Sequence, residues 1–341
     1  MKKTIALLLA MLLVLSLSLG SLVGCGASKT EAPSTVPSSA APASAAPSAE
    51  GKQITIGVIT KIIDPFFNKC IDGAVAHGTE LGCKVISAAA SNTTAVEEQI
   101  AIVQDMISKK VDAILIVPID SKALVPVIAD AIKAGIAVVN FDNQFDKATV
   151  AAAGLDPIPF VGIDNESAAY MSAAYLVKAM NGTGKVAILE GVRGADNATL
   201  RKNGAERAFK EAAGIELVAS QSANWNAEEG YSVFSNILQA NPDITGLFAS
   251  CDAMSFGAMQ AIEAAGLSDK IKIAAFDADD AAIINIRDGK TLCTVDQNPK
   301  QITAKAVDVA LDMLKGIKPE EHYSVDAILV TTENAGNYNV K

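Results

Sequence analysis

Short apolar runs alternate with longer amphipathic segments along most of this chain, and this alternation most constrains its fold. The runs 54–59, 113–117 and 185–189 are rich in β-branched residues, which favours buried strands. Segments such as 66–81 repeat apolar residues at helical spacing, and Gly82 and Gly135 each follow such a segment, as left-handed helix C-caps do. Continuous apolar strands separated by helices predict parallel sheets covered on both faces.

The alternation restarts near residue 160, so the chain contains two successive units of similar size. The second unit begins with a strand at 160–163, and its first two helices are predicted over 168–180 and 201–213. Each unit has the pattern of a doubly wound domain, and the body from about residue 52 onward is long enough for two. The sequence therefore predicts an α/β protein with two doubly wound parallel-sheet lobes.

The N-terminal segment has the pattern of an export signal. Lys2 and Lys3 precede an apolar run at 5–15, and the segment closes with Leu-Val-Gly-Cys at 22–25. This ending is similar to the lipobox of lipoproteins, which predicts a signal peptide over 1–24 and a lipid anchor on Cys25. An ordinary secretory signal and a single membrane span are the alternatives. The protein is therefore expected outside the cytoplasmic membrane.

Residues 25–51 continue with serine, alanine and proline and carry almost no large apolar side chains. Such a segment cannot bury enough apolar surface to offset the entropy of ordering, so we expect a disordered linker between the anchor and the folded body.

Charge and reactive side chains exclude several function classes. The formal net charge of −10 argues against nucleic acid as a partner. Only His77 and His322 are present, so a histidine-based metal site or catalytic triad is hard to assemble, and neither metal nor cofactor is expected. The cysteines of the body are expected to be free thiols, because they fall in or beside predicted helices and strands without paired spacing: Cys70, Cys83, Cys251 and Cys293.

Polar and aromatic residues follow the predicted strands at their carboxyl ends. Ligands bind at that edge of open parallel sheets, so these side chains predict one shared site. Carboxylates, amides and aromatic rings together suit a polyhydroxylated ligand, whose hydroxyls form hydrogen bonds and whose C–H faces pack on rings. The residues are Asp64, Phe66, Phe67, Asp142, Asn143, Asn197, Arg201, Trp225, Cys251, Asp277 and Gln297.

Several of these residues have a second interpretation. Phe67 could belong to the core, Arg201 could lie on the surface, and Asp252 could be a helix N-cap. Trp225 is the only tryptophan, and its polar neighbours at 222–227 favour ligand contact over burial in a core.

A series of short motifs resembles one family when read in order. They are Asp-Pro-Phe-Phe at 64–67, Asp-Ser at 120–121, Phe-Asp at 141–142, Ser-Cys-Asp-Ala-Met at 250–254, Phe-Asp at 276–277 and the segment 288–299. Together they resemble the periplasmic-binding-protein-like sugar binders of ABC importers, of the ribose- and galactose-binding type, over essentially all of 52–341.

The resemblance implies a type I architecture in which the chain crosses between lobes three times and the lobes close on a ligand. The N-terminal lobe would comprise 52–163 plus 298–325, and the C-terminal lobe 164–297 plus 326–341. Phe66 and Phe67 match an aromatic pair of the ribose binder, with Trp225 as a stacking ring opposite. The matching polar sugar contacts are Asp142, Arg201, Asp277 and Gln297.

This chain departs from the ribose binder at four positions. Asn143 stands in place of an arginine, Asp64 in place of an amide, and Val117 and Cys251 at positions that usually carry asparagine. Because a site built for a hydroxyl discriminates strongly through it, these departures argue against ribose. Asp64 and Trp225 favour a pyranose or a cyclic polyol.

The expected function is capture of a monosaccharide or polyol for delivery to an ABC importer permease, by a monomer without catalysis. A sensory role that presents sugar to a membrane receptor is compatible with this reading. The alternative is an extracellular enzyme acting on a small carbohydrate, with Cys251 and Asp252 in the cleft as nucleophile and partner. That alternative needs a base, and neither histidine lies near a predicted strand end.

Overall fold

The computed structural model describes residues 52–340, which contain two six-stranded sheets. The strands are β1 (Thr55–Thr60), β2 (Lys84–Ala89), β3 (Ala113–Ile116), β4 (Ala137–Phe141), β5 (Phe160–Gly162), β6 (Thr183–Glu190), β7 (Gly214–Ser222), β8 (Ile244–Ala249), β9 (Lys272–Ala274), β10 (Cys293–Asp296), β11 (His322–Ser324) and β12 (Ile328–Thr331). The α-helices are α1 (Pro65–Glu80), α2 (Val96–Ser108), α3 (Val125–Lys133), α4 (Lys147–Ala152), α5 (Asn165–Ala179), α6 (Asp196–Glu211), α7 (Ala227–Ala240), α8 (Asp252–Ala264), α9 (Asp280–Arg287) and α10 (Pro299–Leu314).

The first sheet has the strand order β11-β5-β4-β3-β1-β2, and all of its strand pairs are parallel. The second sheet has the order β12-β10-β9-β8-β6-β7, in which only β12 runs antiparallel to its neighbour. Each sheet and its helices form one lobe. The predicted class, two doubly wound parallel-sheet lobes, is confirmed.

The chain passes between the lobes in three short segments. Helix α5 follows β5 directly but packs against β9 and β10 of the second sheet. Helix α10 follows β10 but packs against α1, β3 and β4 of the first lobe. After β11 the chain returns to add β12 to the second sheet. Connections of this kind can act as a hinge, because small dihedral changes in each can rotate one lobe against the other.

Capping residues, a proline and glycines mark where the helices begin and end. Asp64 caps α1 by accepting a hydrogen bond from the Phe67 backbone N–H at 2.7 Å, and Pro65 occupies the first turn, where its missing N–H costs nothing. Gly82 has φ +77° and Gly135 has φ +84°, so the predicted left-handed positions after α1 and α3 are confirmed.

The structure differs from the sequence prediction mainly at short or polar elements. Helix α5 begins at Asn165 and α6 at Asp196, several residues before the predicted starts, because their polar first turns carry no apolar periodicity. Helix α4 and strands β11 and β12 were not predicted. They span six, three and four residues, which is too short for a hydrophobic period to show.

The apolar strands form the cores of both lobes. Ile56, Ile116 and Phe141 are fully buried or nearly so in the first lobe, as is Phe248 in the second. The four cysteines of the described residues are buried free thiols, in accord with the sequence expectation. Among residues 52–340, no helix combines the length and apolarity needed to cross a membrane.

Candidate functional site

A cleft lies between the two lobes at the carboxyl ends of both sheets. It encloses about 540 Å³ of space, including its open mouth. The loops and helix starts that follow eight of the strands supply its wall, so one site collects residues that lie far apart in the chain. The lining residues are Lys61, Asp64, Pro65, Phe66, Phe67, Thr93, Asp142, Asn197, Arg201, Trp225, Cys251, Ala253, Asp277, Asp279 and Gln297.

All but one of the predicted ligand-binding residues line this cleft. The exception is Asn143, which is fully buried and donates from Nδ2 to the carbonyl oxygen of Pro118 at 2.8 Å. Its neighbour Asp142 has φ +59°, and this sharp turn directs the two consecutive side chains to different places. The assignment of Asn143 to the ligand site is therefore corrected. Cys25, the predicted lipidation site, lies outside the described residues.

Arg201 is the best-anchored cation of the cleft. Its Nε donates to Asn165 Oδ1 at 2.8 Å, and its Nη1 donates to the Ser250 carbonyl at 2.9 Å and to Asp277 Oδ1 at 3.2 Å. The guanidinium also stacks on the Phe276 ring at 3.8 Å. Rigid hydrogen bonds and stacking hold the planar group in one orientation, so Arg201 can present a fixed donor to a ligand.

Two aspartates bring carboxyl groups to opposite sides of the cleft. Burial raises the pKa of Asp64 to about 6, although the Phe67 N–H opposes this shift. Burial also raises the pKa of Asp277, against the attraction of Arg201. Gln297 Nε2 donates to Asp277 Oδ1 at 2.6 Å and holds that carboxyl group in place. Both groups can accept hydrogen bonds from ligand hydroxyls.

Lys61 is a cleft residue that the sequence reasoning missed. It is the first residue after β1, and its side chain is only 3% exposed. Its Nζ lies 3.7 Å from Asp142 Oδ2 and 5.9 Å from the centre of the Trp225 ring. Burial lowers the pKa of the ammonium group, and the Asp142 charge opposes that shift. Its position directly after a buried strand was the available signal.

Trp225 forms an aromatic wall of the cleft. Its backbone has φ +60°, and Arg201 Cζ lies 5.4 Å from the centre of its ring. Gly191 permits this placement, because a Cβ there would lie 1.9 Å from Trp225 Cζ2. Phe66 and Phe67 are buried in the first lobe with ring centroids 5.1 Å apart, edge to face, and they line the cleft as well.

Four residues of the cleft carry buried polar atoms that have no hydrogen-bond partner within the described residues. Such atoms are rare in folded proteins, because each one left unpaired costs about 1–3 kcal/mol. Donors and acceptors are both represented, which is the requirement for binding hydroxyl groups. The atoms are Asn197 Oδ1, Trp225 Nε1, Asp279 Oδ1 and Gln297 Oε1.

The enzyme alternative placed Cys251 and Asp252 together in the cleft, and the structure separates them. Cys251 lines the cleft, but its sulfur accepts from the Met254 N–H at 3.5 Å, and burial raises the pKa of the thiol. A thiol with a raised pKa is a poor nucleophile. Asp252 is fully buried behind the cleft wall, where its carboxylate accepts from the Asp279 N–H and the Thr294 hydroxyl.

The lobes contact each other directly around the cleft, so the structure represents a closed conformation. Thr93 Oγ1 of the first lobe donates to the Asn224 carbonyl of the second at 2.8 Å. Lys69 Nζ donates to the Ala278 carbonyl at 3.2 Å and pairs with Asp280 at 2.9 Å. These contacts cover the ligand space from two sides.

The raised pKa of Asp64 predicts a specific pH dependence of stability. Between about pH 4 and pH 6 the folded state holds a proton that the unfolded state has lost, so the free energy of unfolding falls as the pH rises through this window. Asp64→Asn keeps the helix cap but cannot titrate. We therefore expect this variant to lack the pH-dependent fall in the free energy of unfolding, which amounts to at most about 3 kcal/mol. Urea unfolding from pH 4 to 8 measures the difference, and parallel curves for the two proteins would refute the assignment.

Two α/β lobes that close over a polar, partly aromatic cleft define a hinged small-molecule binding protein. The chain belongs to the periplasmic binding protein family: the family model described as a periplasmic binding protein domain matches residues 56–318. The D-ribose/D-allose-binding protein of Pseudomonas aeruginosa is 38% identical over 265 residues, which cover 77% of this chain and 82% of that protein. The D-allose-binding periplasmic protein of Escherichia coli is 32% identical, over 80% of this chain and 90% of that protein.

A solved structure shows the same architecture with a sugar bound. The periplasmic solute-binding protein of an ABC transporter from Actinobacillus succinogenes, with bound D-allose, has a TM-score of 0.80 and 38% identity. The match covers 84% of this chain and 100% of that chain. The predicted class, a sugar-binding protein of the ABC-importer type, is confirmed, and family membership supports an extracytoplasmic location.

Proposed function

We propose that this protein captures a neutral aldose in its pyranose form and delivers it to the permease of an ABC importer. We expect D-allose to bind more tightly than D-ribose, because Asp64 and Cys251 line the cleft at positions where the ribose binder carries amides. The observation that carries the proposal is that one cleft combines the Trp225 ring with four buried polar atoms that lack a hydrogen-bond partner within residues 52–340. A pyranose presents hydroxyl groups around its edge and C–H groups on its faces, and this cleft offers partners for both. The names of the similar proteins point to the same ligand class.

We propose individual roles from the positions of the side chains. Trp225 covers one face of the sugar ring and donates from Nε1. Arg201 and Lys61 donate to ring or hydroxyl oxygens, while Asp142 and Asp277 accept from hydroxyls. Charge-assisted hydrogen bonds contribute about 1.5–3 kcal/mol each, so a few of them with one stacking contact reach micromolar affinity or better. The remaining proposed contacts are Asp64, Phe66, Phe67, Asn197, Cys251 and Gln297.

The charges of the cleft favour neutral sugars over anionic ones. Two cations, Lys61 and Arg201, face four carboxyl groups, and the cations already lie near Asp142 and Asp277. A sugar acid or sugar phosphate would bring further negative charge into a poorly hydrated space without a free counter-charge. We therefore propose neutral aldoses as ligands and expect their acid and phosphate derivatives to be excluded.

The proposal includes the cellular arrangement that the N-terminal sequence predicts. After cleavage of the signal over 1–24, a lipid on Cys25 tethers the monomeric protein to the outer face of the membrane, and the linker up to residue 51 allows it to reach the permease. Lobe boundaries near 163, 297 and 325 would act as the hinge. Closure presents both lobes to the permease, and presentation to a sensory receptor would use the same closed form. We propose no catalytic step.

A ligand screen of the full-length protein tests this function. We expect D-allose or D-ribose at 100 times its dissociation constant to stabilise the protein by about 2.7 kcal/mol, which raises Tm by about 5 °C or more. The emission of Trp225, the only tryptophan, should change in the same titration. Allose 6-phosphate and ribonate serve as controls and should have no effect. A thermal shift with the anionic compounds but with no neutral aldose would contradict the proposal.

A further inference from the structure

Helix α6 lacks a cap of its own. The helix begins at Asp196, and its N-cap residue is Ala195, whose methyl side chain cannot accept a hydrogen bond. The first N–H groups of any helix have no partner within the helix and are normally satisfied by an N-cap side chain or by water. The N–H groups of Asp196 and Asn197 therefore need acceptors from elsewhere.

Both acceptors come from the other lobe. The Asp196 N–H donates to Ser121 Oγ at 3.0 Å, and the Asn197 N–H donates to Asn143 Oδ1 at 3.1 Å. The Ser121 N–H in turn donates to the Gly194 carbonyl at 3.1 Å. Three hydrogen bonds thus join the start of α6 in the second lobe to two loops of the first lobe.

The first lobe holds its two acceptors in position by itself. Asn143 Nδ2 donates to the Pro118 carbonyl at 2.8 Å, and the Asn143 carbonyl accepts from Asn140 Nδ2 at 2.7 Å. The Ser121 carbonyl accepts from the Asp146 N–H at 2.9 Å. Because these bonds lie within one lobe, lobe opening does not break them, and the acceptors stay ordered for the next closure.

The second lobe is shaped for close approach at the same point. Gly194, two residues before α6, has φ +98°, and a Cβ on it would lie 2.4 Å from Asp120 Oδ2 of the first lobe. A side chain at this position would force the Asp120 carboxylate to move, and the positive φ would strain any residue other than glycine. Glycine here lets the loop of the first lobe reach the helix start.

We propose that Ser121 and Asn143 form a trans-lobe helix cap that latches the closed state. In the open state the N–H groups of Asp196 and Asn197 are left to water, and closure completes the cap of α6. Neither Ser121 nor Asn143 lines the cleft. This inference rests on the proposed sugar-binding function, and it implies that the latch sets the closed population and the dissociation rate equally for every ligand, without affecting selectivity.

Asn197 connects the latch to the ligand site. Its backbone N–H belongs to the trans-lobe cap, while its side chain lines the cleft, where Nδ2 donates to Asp142 Oδ2 at 3.3 Å. Every ligand that holds the lobes closed around the Asn197 side chain brings the same helix start to the same two acceptors. Ligand binding and latch formation therefore favour each other.

Single substitutions test the latch through affinity, rate and selectivity together. We expect Ser121→Ala and Asn143→Ala each to weaken binding of D-allose and D-ribose by about fivefold, the typical effect of losing a helix cap. The loss should appear as faster dissociation, and the affinity ratio of the two sugars should not change. Ser108→Ala is the matched control, because this exposed serine bonds only to its own helix at the Gln104 carbonyl.

A self-capping variant gives the opposite kind of test. Ala195→Ser supplies α6 with its own cap in the open state, so closure gains less, and we expect weaker sugar binding with an unchanged or higher Tm of the ligand-free protein. A serine at the N-cap accepts from the second or third N–H of the helix, and the second is the Asn197 N–H that Asn143 accepts in the native chain. In this background Asn143→Ala should therefore cost clearly less affinity than in the native chain, which a double-mutant cycle measures. Full additivity of the two substitutions would overturn the latch.

Failure of the latch and failure of the proposed function give different results. Unchanged affinity and dissociation rate in Ser121→Ala and Asn143→Ala, while the native protein binds sugar, overturn the latch alone. If the native protein binds neither sugar, the proposed function fails. The latch is then tested without ligand, by measuring the fraction of closed molecules through single-molecule energy transfer between dyes on the two lobes. A closed fraction about fivefold lower in each variant than in the native protein supports the latch. A closed fraction equal to that of the native protein overturns the latch.

Discussion

Replacing Arg201 by methionine is expected to lower the free energy of unfolding by about 3–5 kcal/mol and to abolish sugar binding. Methionine keeps much of the apolar stem but removes the guanidinium that bonds Asn165, the Ser250 carbonyl and Asp277. The cost is large because the Asp277 carboxyl group loses its buried counter-charge and the Asn165 side chain loses its donor. Urea unfolding and calorimetric titration with D-allose measure the two effects.

The same helix provides the control for this substitution. Arg207 lies on α6 and pairs with Glu166 at 2.7 Å, but its side chain is 45% exposed. An exposed pair contributes about 0–1 kcal/mol, so Arg207→Met should leave stability and binding nearly unchanged. If Arg201→Met were no more destabilising than Arg207→Met, the buried network around Arg201 would not have the role assigned to it.

Replacing Trp225 by alanine is expected to weaken sugar binding about 100-fold while the fold persists. The change removes an apolar face worth about 1.5–3 kcal/mol when covered by ligand, and it removes the Nε1–H donor, worth about 1 kcal/mol. Stability should change less, because Trp225 is only partly buried at the edge of the second-lobe core. Calorimetry gives the affinity, since the variant contains no tryptophan to report binding by emission.

Trp225→Phe separates the two contributions. Phenylalanine keeps a ring against the sugar but has no N–H donor, so we expect a loss of about fivefold to tenfold, well below that of alanine. Equal losses for the two variants would show that the ring face contributes nothing. Unchanged affinity in Trp225→Ala would remove this residue from the site.

Most of the candidate site could be predicted because strand ends are visible in a sequence. Each of four cleft residues lies within three residues of the end of an apolar strand, and parallel strands place their carboxyl ends at one edge. They are Asp142, Cys251, Asp277 and Gln297. Trp225 was recognisable by its polar neighbours. Lys61 occupies the same kind of position after β1, yet a lysine there is ordinarily solvent-exposed, so the pattern did not distinguish it.

Asn143 shows where a strand-end position misleads. The chain turns at Asp142 with φ +59°, so Asp142 faces the cleft while Asn143 bonds to the Pro118 carbonyl and to the start of α6. A dihedral angle of this kind is not encoded in apolar periodicity. The match to a sugar-contacting position in the ribose binder could not reveal it either, because the residue type itself differs.

The sequence by itself determined the α/β class, the division into two similar units and the set of side chains that lie at the carboxyl edges of the sheets. These features follow from local periodicity and strand direction. The tertiary structure alone decided which of those side chains face the cleft, that Lys61 is buried among them, and that α6 receives its cap from Ser121 and Asn143. These features depend on turn dihedrals and on the meeting of two lobes. Residues far apart in the chain supply each partner, so no local pattern records them.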